Sequence, residues 1–322
     1  MIHIVGFGSQ GSAWAQCLRQ SGQEVHIYLH RSGEGFRRAQ ELGFSVSLLP
    51  ELATSLARGP KPGVVAMLLP DLQVGKVYRD FLAGVPDPLA IVLAHGYAVY
   101  AGDLRDLSPG HDPILLAPKA IGPKLLSHFQ DARRESSTGT HTLVAASSAP
   151  FHRREVAAAL ARDLGFAPKN IVETSFEKET IGDLMSEQGL LCGTMFPFLT
   201  WTMAAMRDAG VPEALIREEC LSEMELIAGL VRGDGPQATW DRISEVAKVG
   251  TVAMRDRLER LGARDALSRQ FAEILDGRFV EYVRAREWEA GAATIREELA
   301  GAEKNRVRPI ASSPRPHLVS EL

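Results

Sequence analysis

The stretch Ile2-His3-Ile4-Val5-Gly6-Phe7-Gly8-Ser9-Gln10-Gly11 decides the fold, because four strand-forming residues run directly into a glycine-rich turn. The following segment, Ala13–Ser21, has helical periodicity, so the sequence predicts strand, turn and helix in that order. Gly6 would permit the tight turn, Gly8 would let a pyrophosphate approach the backbone, and Gly11 would allow close helix–strand packing. We therefore expect dinucleotide binding here, with a plain strand-to-helix turn as the alternative. The candidate binding residues are Gly6, Phe7, Gly8, Ser9, Gln10 and Gly11.

The rest of the first half alternates short apolar runs with amphipathic segments, which predicts an α/β fold with a parallel, doubly wound sheet. The predicted strands are Ile2–Val5, Val25–Leu29, Val64–Leu69, Leu89–Leu93, Ile114–Ala117 and Thr142–Ala145. From about Glu173 the strand signal stops and helical periodicity takes over. The predicted helices there are Thr180–Met195, Pro212–Val231, Trp240–Leu261 and Asp265–Glu289. We expect a Rossmann-like domain over 1–172, an all-helical domain over 173–304 and a flexible tail over 305–322.

The composition excludes several classes of protein. The 322 residues are 45% hydrophobic, which excludes a disordered chain, and they carry a formal net charge of −4. That balance gives no electrostatic footprint for nucleic acid or an anionic membrane. No run reaches the ~20 uninterrupted apolar residues of a membrane span, and the start lacks the features of a signal peptide. Cys17, Cys192 and Cys220 form no metal-finger spacing, so we expect buried free thiols in a reducing cytoplasm.

The end of the second predicted strand bears on the choice between NAD and NADP. An acidic residue there would bind the ribose 2′-hydroxyl of NAD, whereas Arg or Ser would suit the 2′-phosphate of NADP. Arg31 and Ser32, with Arg37 nearby, favour NADP, while Glu34 favours NAD. We expect NADP here and keep NAD as the alternative.

Two pairs of carboxylates in the helical half are candidates for a metal site. Asp183 and Glu187 are four residues apart, and so are Glu219 and Glu223, which places each pair on one helix face. A solvated face is the usual explanation of such pairs. Glu223, however, interrupts an apolar stripe, where a charge is costly unless it meets a cation. The stripe consists of Ile216, Cys220, Glu223, Ile227 and Val231. Four converging carboxylates would suit Mg²⁺, but spacing alone leaves both interpretations open.

Several motifs together resemble those of ketol-acid reductoisomerases and occur in that family's order along nearly the whole chain. The most specific is the segment from Ile171 to Gly193, which contains Asp183 and Glu187. The other matching segments are Gly6–Gly11, Leu68–Asp71, Ala94–Tyr97, Ala117–Lys119, Glu219–Glu223, Arg242–Ser244 and Asp276–Phe279. The chain length is similar to that of the family's shorter class.

The resemblance implies a two-step reaction on 2-acetolactate-type acids in branched-chain amino-acid synthesis, and a knotted helical domain. Two Mg²⁺ ions polarise the ketone and the hydroxyl, an alkyl group migrates, and NAD(P)H reduces the new ketone. The implied metal ligands are Asp183 and Glu187, with Glu219 and Glu223 supplied by a partner subunit, which makes a homodimer the smallest expected assembly. The implied catalytic residues are His95, Lys119 and Glu187. The implied substrate contacts are Ser244, Glu223 and Cys192. Two further cofactor contacts are implied, Asp71 and Gly122. For His95 alone, a packed or capping histidine is the alternative.

The sequence departs from the family's pattern around the cofactor and substrate. Tyr97-Ala98 stands where the family has Phe-Asn, and Ala120-Ile121 stands where it has Gly-Pro. The family's arginine and two phosphate-binding serines after the second strand become His30, Gly33 and Gly35. The chain also begins directly on its first strand. A divergent member is therefore expected, and two alternatives stay open: a 2-keto-acid reductase without isomerase activity, and a non-catalytic nucleotide-binding paralogue.

Overall fold

The computed structural model describes residues 1–133, 143–286 and 288–303. The chain divides into two compact units, residues 1–182 and the residues from Asp183 onward. This division falls inside the helix Phe176–Ser186, which follows the boundary expected near residue 172. The predicted tail, 305–322, lies outside the described residues.

An eight-stranded sheet forms the centre of the first unit, in the order β3-β2-β1-β4-β5-β6-β7-β8. The strands are β1 (Ile2–Val5), β2 (Val25–Leu29), β3 (Ser45–Leu48), β4 (Gly63–Met67), β5 (Leu89–Leu93), β6 (His111–Pro118), β7 (Ala145–Ser148) and β8 (Ile171–Glu173). All neighbouring pairs are parallel except β6 and β7. The strand order reverses between β1 and β4, and ligands of such sheets bind at this point, beyond the carboxyl ends of the strands.

The strand predictions hold best in the buried middle of the sheet. β1, β2 and β5 have the predicted bounds, and β4 and β6 overlap their predictions. The last predicted strand is displaced, because β7 begins at Ala145, while Thr142 lies outside the described residues. The predicted parallel, doubly wound sheet is confirmed with one exception, because β7 runs antiparallel to β6. β3 and β8 were not predicted, since both are short and only partly buried.

Helices cover both faces of this sheet. Along β5, Ala90 and Val92 belong to one buried cluster, whereas Ile91 belongs to a second cluster on the opposite face. Both faces are therefore buried, as expected of a mostly parallel sheet. The helices up to residue 186 are α1 (Ser9–Gln20), α2 (Glu34–Glu41), α3 (Leu52–Arg58), α4 (Asp71–Phe81), α5 (Tyr97–Tyr100), α6 (Gly122–Arg133), α7 (Arg154–Asp163) and α8 (Phe176–Ser186).

The second unit contains helices and no strand among its described residues. They are α9 (Met195–Asp208), α10 (Glu213–Arg217), α11 (Glu223–Asp234), α12 (Pro236–Arg242), α13 (Glu245–Arg260), α14 (Ala263–Leu275), α15 (Arg278–Ala285) and α16 (Trp288–Glu303). Two π turns, Glu187–Leu191 and Glu218–Ser222, lie between α8 and α9 and between α10 and α11. The four predicted helices are therefore each interrupted. The last of them breaks at Gly277, whose φ of 85° is left-handed.

Many apolar side chains of the second unit are exposed. On α13, Val246 is 83% exposed and Val249 is 70% exposed. A cavity of about 890 Å³ opens between α9, α13 and α14 and is lined mainly by apolar groups, including Phe198, Met254 and Leu267. By length and composition alone, Phe176–Asp208 could also cross a membrane, which is a weak indication for a single stretch of helix. These faces form a surface that the described part of the chain does not cover.

Candidate active site

The glycine-rich turn between β1 and α1 has the shape that a dinucleotide requires. Gly6 has a φ of 103°, and a Cβ there would lie 2.2 Å from the carbonyl oxygen of Leu68. A Cβ at Gly11 would lie 2.4 Å from the carbonyl oxygen of Gly6, whereas nothing lies within 4 Å of the Cβ position of Gly8. The first and third glycines are thus required by close backbone contacts, and the second leaves the backbone open to a pyrophosphate. The predicted roles of all three residues fit this geometry.

A second loop, which follows β6, lies against the same turn. Gln10 Nε2 donates a hydrogen bond to the carbonyl oxygen of Ala120, with a distance of 2.7 Å. A Cβ at Gly122 would lie only 2.1 Å from the carbonyl oxygen of Ser9, so this position requires glycine. The predicted cofactor residue Gly122 is therefore next to the turn. Its neighbour Ile121 is 73% exposed.

Arg38 of α2 contacts the turn from the other side. Its Nη2 donates to the carbonyl oxygen of Phe7 over 2.7 Å, and its guanidinium lies 5.4 Å from the centre of the Phe7 ring. The Phe7 ring packs edge-on against Phe44, with their centres 5.9 Å apart. Sequence reasoning missed Arg38, because nothing local distinguishes it from Arg37.

His95 and Asp71, both predicted site residues, lie close together beyond the ends of β5 and β4. His95 Nδ1 is 3.5 Å from Asp71 Oδ2, and the histidine side chain is 23% exposed. The imidazole also stacks on Tyr97, with 6.3 Å between ring centres and 18° between planes. The tyrosine that replaces the family's phenylalanine therefore retains an aromatic surface beside the histidine.

Lys119 is held by a carboxylate that sequence reasoning did not select. Its Nζ lies 2.6 Å from Oε1 of Glu179, and Oε2 of Glu179 accepts a 2.9 Å hydrogen bond from the backbone N–H of Gly96. The Glu179 side chain is 1% exposed, so this carboxylate needs both charge-assisted bonds. It connects α8 to the loops after β5 and β6, next to His95. The spacing of four that pairs Asp183 with Glu187 also reaches back to Glu179, and could have identified it.

The four predicted metal ligands do not meet within one chain. Asp183 is half-buried and Glu187 is exposed at the start of the first π turn. Glu219 lies in the second π turn and Glu223 directly follows it, and π turns are frequent at functional sites. Across the described residues, no three His, Cys, Asp or Glu side chains are close enough together to hold a metal. A single chain therefore does not present the predicted metal site.

The stripe that contains Glu223 is not a core face, so that expectation is wrong for one chain. Ile216 at its start is fully buried, but Ile227 is 44% exposed and Val231 is 39% exposed. Glu223 itself is exposed. The periodicity indicated an apolar face, but within the described chain only its start is covered, where Cys220 Sγ lies 3.5 Å from Met206 Sδ of α9.

The cysteines differ from the expectation of three buried thiols. Cys17 is fully buried, and desolvation raises the pKa of its thiol to about 12. Cys220 is half-buried, but Cys192 is exposed. Partial desolvation raises the pKa of the Cys192 thiol, and the carboxylates of Glu187 and Asp183 raise it further. Cys192 therefore lies near the first carboxylate pair, although it is not a core residue.

The remaining predicted site residues are on the surface. Ser244 precedes α13 and its Oγ accepts a 3.2 Å hydrogen bond from the Ala247 backbone N–H, which makes it the N-cap of that helix. The capping role alone is sufficient to explain why position 244 is a serine. The predicted contact of Ser244 with the substrate stays a prediction. Arg31 and Ser32 are exposed in the loop before α2.

The sequence of both halves matches family models. Residues 1–169 match the acetohydroxy acid isomeroreductase NADPH-binding domain, and residues 176–312 match the ketol-acid reductoisomerase C-terminal domain. The chain belongs to the ketol-acid reductoisomerase family. It is similar to the structure of an NADH-preferring ketol-acid reductoisomerase from an uncultured archaeon, with 26% identity over 95% of this chain and 94% of that one and a TM-score of 0.72. A 1-pyrroline-5-carboxylate reductase from Streptococcus pyogenes, 16% identical over 86% of this chain and 96% of that one, has a TM-score of 0.58 and shares the fold.

Membership of the ketol-acid reductoisomerase family confirms the resemblance and the predicted fold class. It also confirms that the protein is an NAD(P)H-dependent oxidoreductase. The choice between NADP and NAD, the Mg²⁺ ions and the substrate stay predictions.

Proposed function

We propose that this ketol-acid reductoisomerase converts 2-acetolactate-type acids by alkyl migration and nicotinamide-dependent reduction, in the cytoplasmic synthesis of branched-chain amino acids. The observation that carries the proposal is the Lys119–Glu179 ion pair bonded to Gly96, beside His95. These groups lie at the carboxyl ends of strands in the sheet whose first strand leads into the glycine-rich turn. The nucleotide and the reacting carbon would therefore meet at one sheet edge.

The side chains of the first unit suggest separate roles in substrate binding and in proton transfer. Glu179 fixes the position of the Lys119 ammonium, which can then bind an oxygen or carboxylate of the substrate. Histidine is the side chain that most often transfers protons in enzymes, so we assign proton transfer to His95, which lies beside Asp71. The Tyr97 ring restricts the space above the imidazole.

The metal part of the reaction requires a second copy of the chain. The described residues of one chain bring no three potential ligands together, so a single chain does not supply the whole metal site. We propose a homodimer in which Glu219 and Glu223 of one subunit join Asp183 and Glu187 of the other, where two Mg²⁺ ions would polarise the substrate oxygens. The exposed apolar faces of the same unit, such as that of α13, support this assembly.

Turnover of two substrates tests the proposal. We expect Mg²⁺-dependent oxidation of the nicotinamide with 2-acetolactate and with 3-hydroxy-3-methyl-2-oxobutyrate, the compound formed after alkyl migration. Turnover of only the second substrate would favour a 2-keto-acid reductase, which the altered residues Tyr97-Ala98 and Ala120-Ile121 keep open. Activity with neither substrate would reject the reductoisomerase function.

NADPH and NADH are both candidates for the reductant. The model that matches the first half is described as NADPH-binding, whereas the archaeal structure is described as NADH-preferring. The comparisons therefore support both nucleotides, and the expectation of NADP from Arg31 and Ser32 stays a prediction.

A further inference from the structure

The last two strands of the sheet and the helix between them enclose a cleft in the first unit that the proposed reaction does not use. β7 and β8 are parallel to each other but antiparallel to β6, so their carboxyl ends point away from the sheet edge where β6 ends and Lys119 follows. A cavity of about 340 Å³ lies between these strands and the first half of α7. A cavity of this size is large enough for a small organic molecule.

The strand wall of this cleft changes from apolar to polar along its length. Ala145 of β7 is paired with Ile171 of β8, and both pack in the apolar cluster that includes Ala157 of α7. Side chains two residues apart in a strand point to the same face, so the next pair on this face, Ser147 and Glu173, is also directed toward α7. The cleft therefore has aliphatic groups at one end, and a hydroxyl and a carboxylate at the other.

Arg154 brings a cation to the polar end of the cleft. It precedes the buried Ala157 by three residues, so it lies on the side of α7 that faces the strands. Its neighbour Arg153 is bound within the protein, since Nε of Arg153 lies 2.8 Å from Oδ2 of Asp112. The Arg154 guanidinium lies 5.7 Å from the centre of the Phe151 ring, and within the described part of the chain no hydrogen bond or ion pair engages it.

Opposite charges thus line one cleft without forming an ion pair. Among the described residues, neither a hydrogen bond nor an ion pair engages the Glu173 carboxylate, and no hydrogen bond engages the hydroxyl of the half-buried Ser147. A guanidinium binds a carboxylate through two parallel hydrogen bonds, and a carboxylate accepts hydrogen bonds from an ammonium group. A small zwitterion with an aliphatic part would match both charges and the apolar end of the cleft.

We propose that this cleft binds a free α-amino acid with an aliphatic side chain. Arg154 binds the carboxylate of this ligand, and Glu173 accepts hydrogen bonds from its ammonium group, with the Ser147 hydroxyl as a further polar contact. The aliphatic side chain of the ligand packs against Ile171 and Ala157, where the burial of its apolar surface stabilises the complex. None of these residues is assigned to the nicotinamide or to the acid substrate, so the inference does not depend on the proposed reaction.

Calorimetric titration of the full-length protein, without Mg²⁺ and without nucleotide, tests the inference. We expect at least one of L-valine, L-leucine and L-isoleucine to bind with a dissociation constant below about 1 mM. Arg154→Gln and Glu173→Gln should each weaken this binding at least roughly tenfold, because each removes a hydrogen-bonded charge. Arg162→Gln and Glu155→Gln, which are exposed on α7 outside the cleft, are the matched controls and should bind like the unaltered protein.

Two truncated ligands and one further variant test the chemistry of the ligand and its location. Isobutylamine lacks the carboxylate of valine and isobutyrate lacks its ammonium group, so each should bind at least roughly tenfold more weakly than valine. Ala158→Phe places a ring in the cleft from the exposed side of α7 and should abolish amino-acid binding. Unchanged nucleotide binding in the same variant would show that it is folded.

Four results would overturn the inference. The first is the absence of binding by all three amino acids at millimolar concentrations. The second is binding that survives both Arg154→Gln and Glu173→Gln, or that falls equally in the two control variants. The third is binding of isobutyrate as tight as that of valine, which would indicate a site for carboxylates in general. The fourth is equally tight binding of inorganic phosphate, which would indicate a site for anions in general.

Discussion

The two units of the chain differ in how much of their chemistry a single copy completes. In the first, the Glu179 carboxylate is 1% exposed and has partners in both Lys119 and the Gly96 backbone. In the second, Glu223 is exposed and Val249 on α13 is 70% exposed. The ion pair of the first unit is thus complete within one chain, whereas the second unit leaves carboxylates and apolar side chains exposed, as the proposed homodimer requires. This contrast predicts different responses to mutation and pH.

The strongest test is a charge placed on the apolar face of the second unit. Val249→Asp would put a carboxylate into the proposed dimer interface, where burying an unpaired charge is very costly. We expect a monomer in sedimentation that has no reductoisomerase activity yet still binds NADH in titrations. Val172→Asp, an exposed valine in β8 of the first unit, should stay dimeric and active. An active monomer would contradict the shared metal site.

Replacing Glu179, the carboxylate that holds Lys119 in place, should lower the rate of the reaction. Glu179→Gln leaves the ammonium without its partner carboxylate, and a misplacement of about 1 Å costs on the order of a hundredfold in rate. Breaking the pair should also lower the free energy of unfolding by about 3 kcal/mol, a modest value because Lys119 is 39% exposed. Steady-state kinetics and urea unfolding measure the two effects. Glu177→Gln, exposed on the same helix, is the control, and equal losses in both variants would contradict the anchoring role.

The units should also respond to acid in different pH ranges. Desolvation by burial, together with the charge of His26, lowers the pKa of His3 from 6.5 to about 4. The unfolded chain therefore binds more protons in this range, so the stability of the first unit should fall as the pH drops from about 6.5 to about 4. The loss should approach ~3 kcal/mol for His3 alone.

The second unit has no histidine between residues 183 and 303. There, Arg207 lowers the pKa of Glu213 and Arg264 lowers that of Glu259, so their contribution to stability is lost only when the pH falls below about 4.5. Unfolding followed separately in each unit as a function of pH measures this difference. In His3→Gln, the pH dependence of the first unit between 6.5 and 4 should flatten, and an unchanged slope would contradict the assignment.

The smallest expected effect separates two roles of Ser244. Ser244→Ala removes the N-cap of α13 and should lower the free energy of unfolding by about 1 kcal/mol. Ser244→Asp keeps a capping oxygen, so its stability should stay near that of the unaltered protein. If the aspartate variant retains stability but has a raised KM for the substrate, the implied substrate contact is supported. Full activity in both variants would show that Ser244 serves only as the N-cap of α13 and does not contact the substrate.

The fold was predictable where a single local pattern dominates. β5 is a continuous, fully buried apolar run, and β1 and β2 are mostly buried apolar runs with one histidine each, so their bounds are visible in the sequence. β3 and β8 are edge strands with mixed exposure and lack such a run. The stripe around Glu223 shows what a local pattern cannot predict. Its periodicity correctly indicates an apolar face but does not indicate which segment packs on that face.

By itself, the sequence determined the glycine-rich turn at residues 6–11 and the spacing of the two carboxylate pairs, because both depend on neighbours within one turn or one helix. Only the tertiary structure showed that Glu179 joins Gly96 and Lys119, which lie 83 and 60 positions away in the chain. It also showed that Arg38 of α2 donates a hydrogen bond to the Phe7 carbonyl oxygen of the glycine-rich turn, 31 positions away. Local periodicity records which face of an element is apolar, whereas partners this distant are brought together only by the order of strands in the sheet.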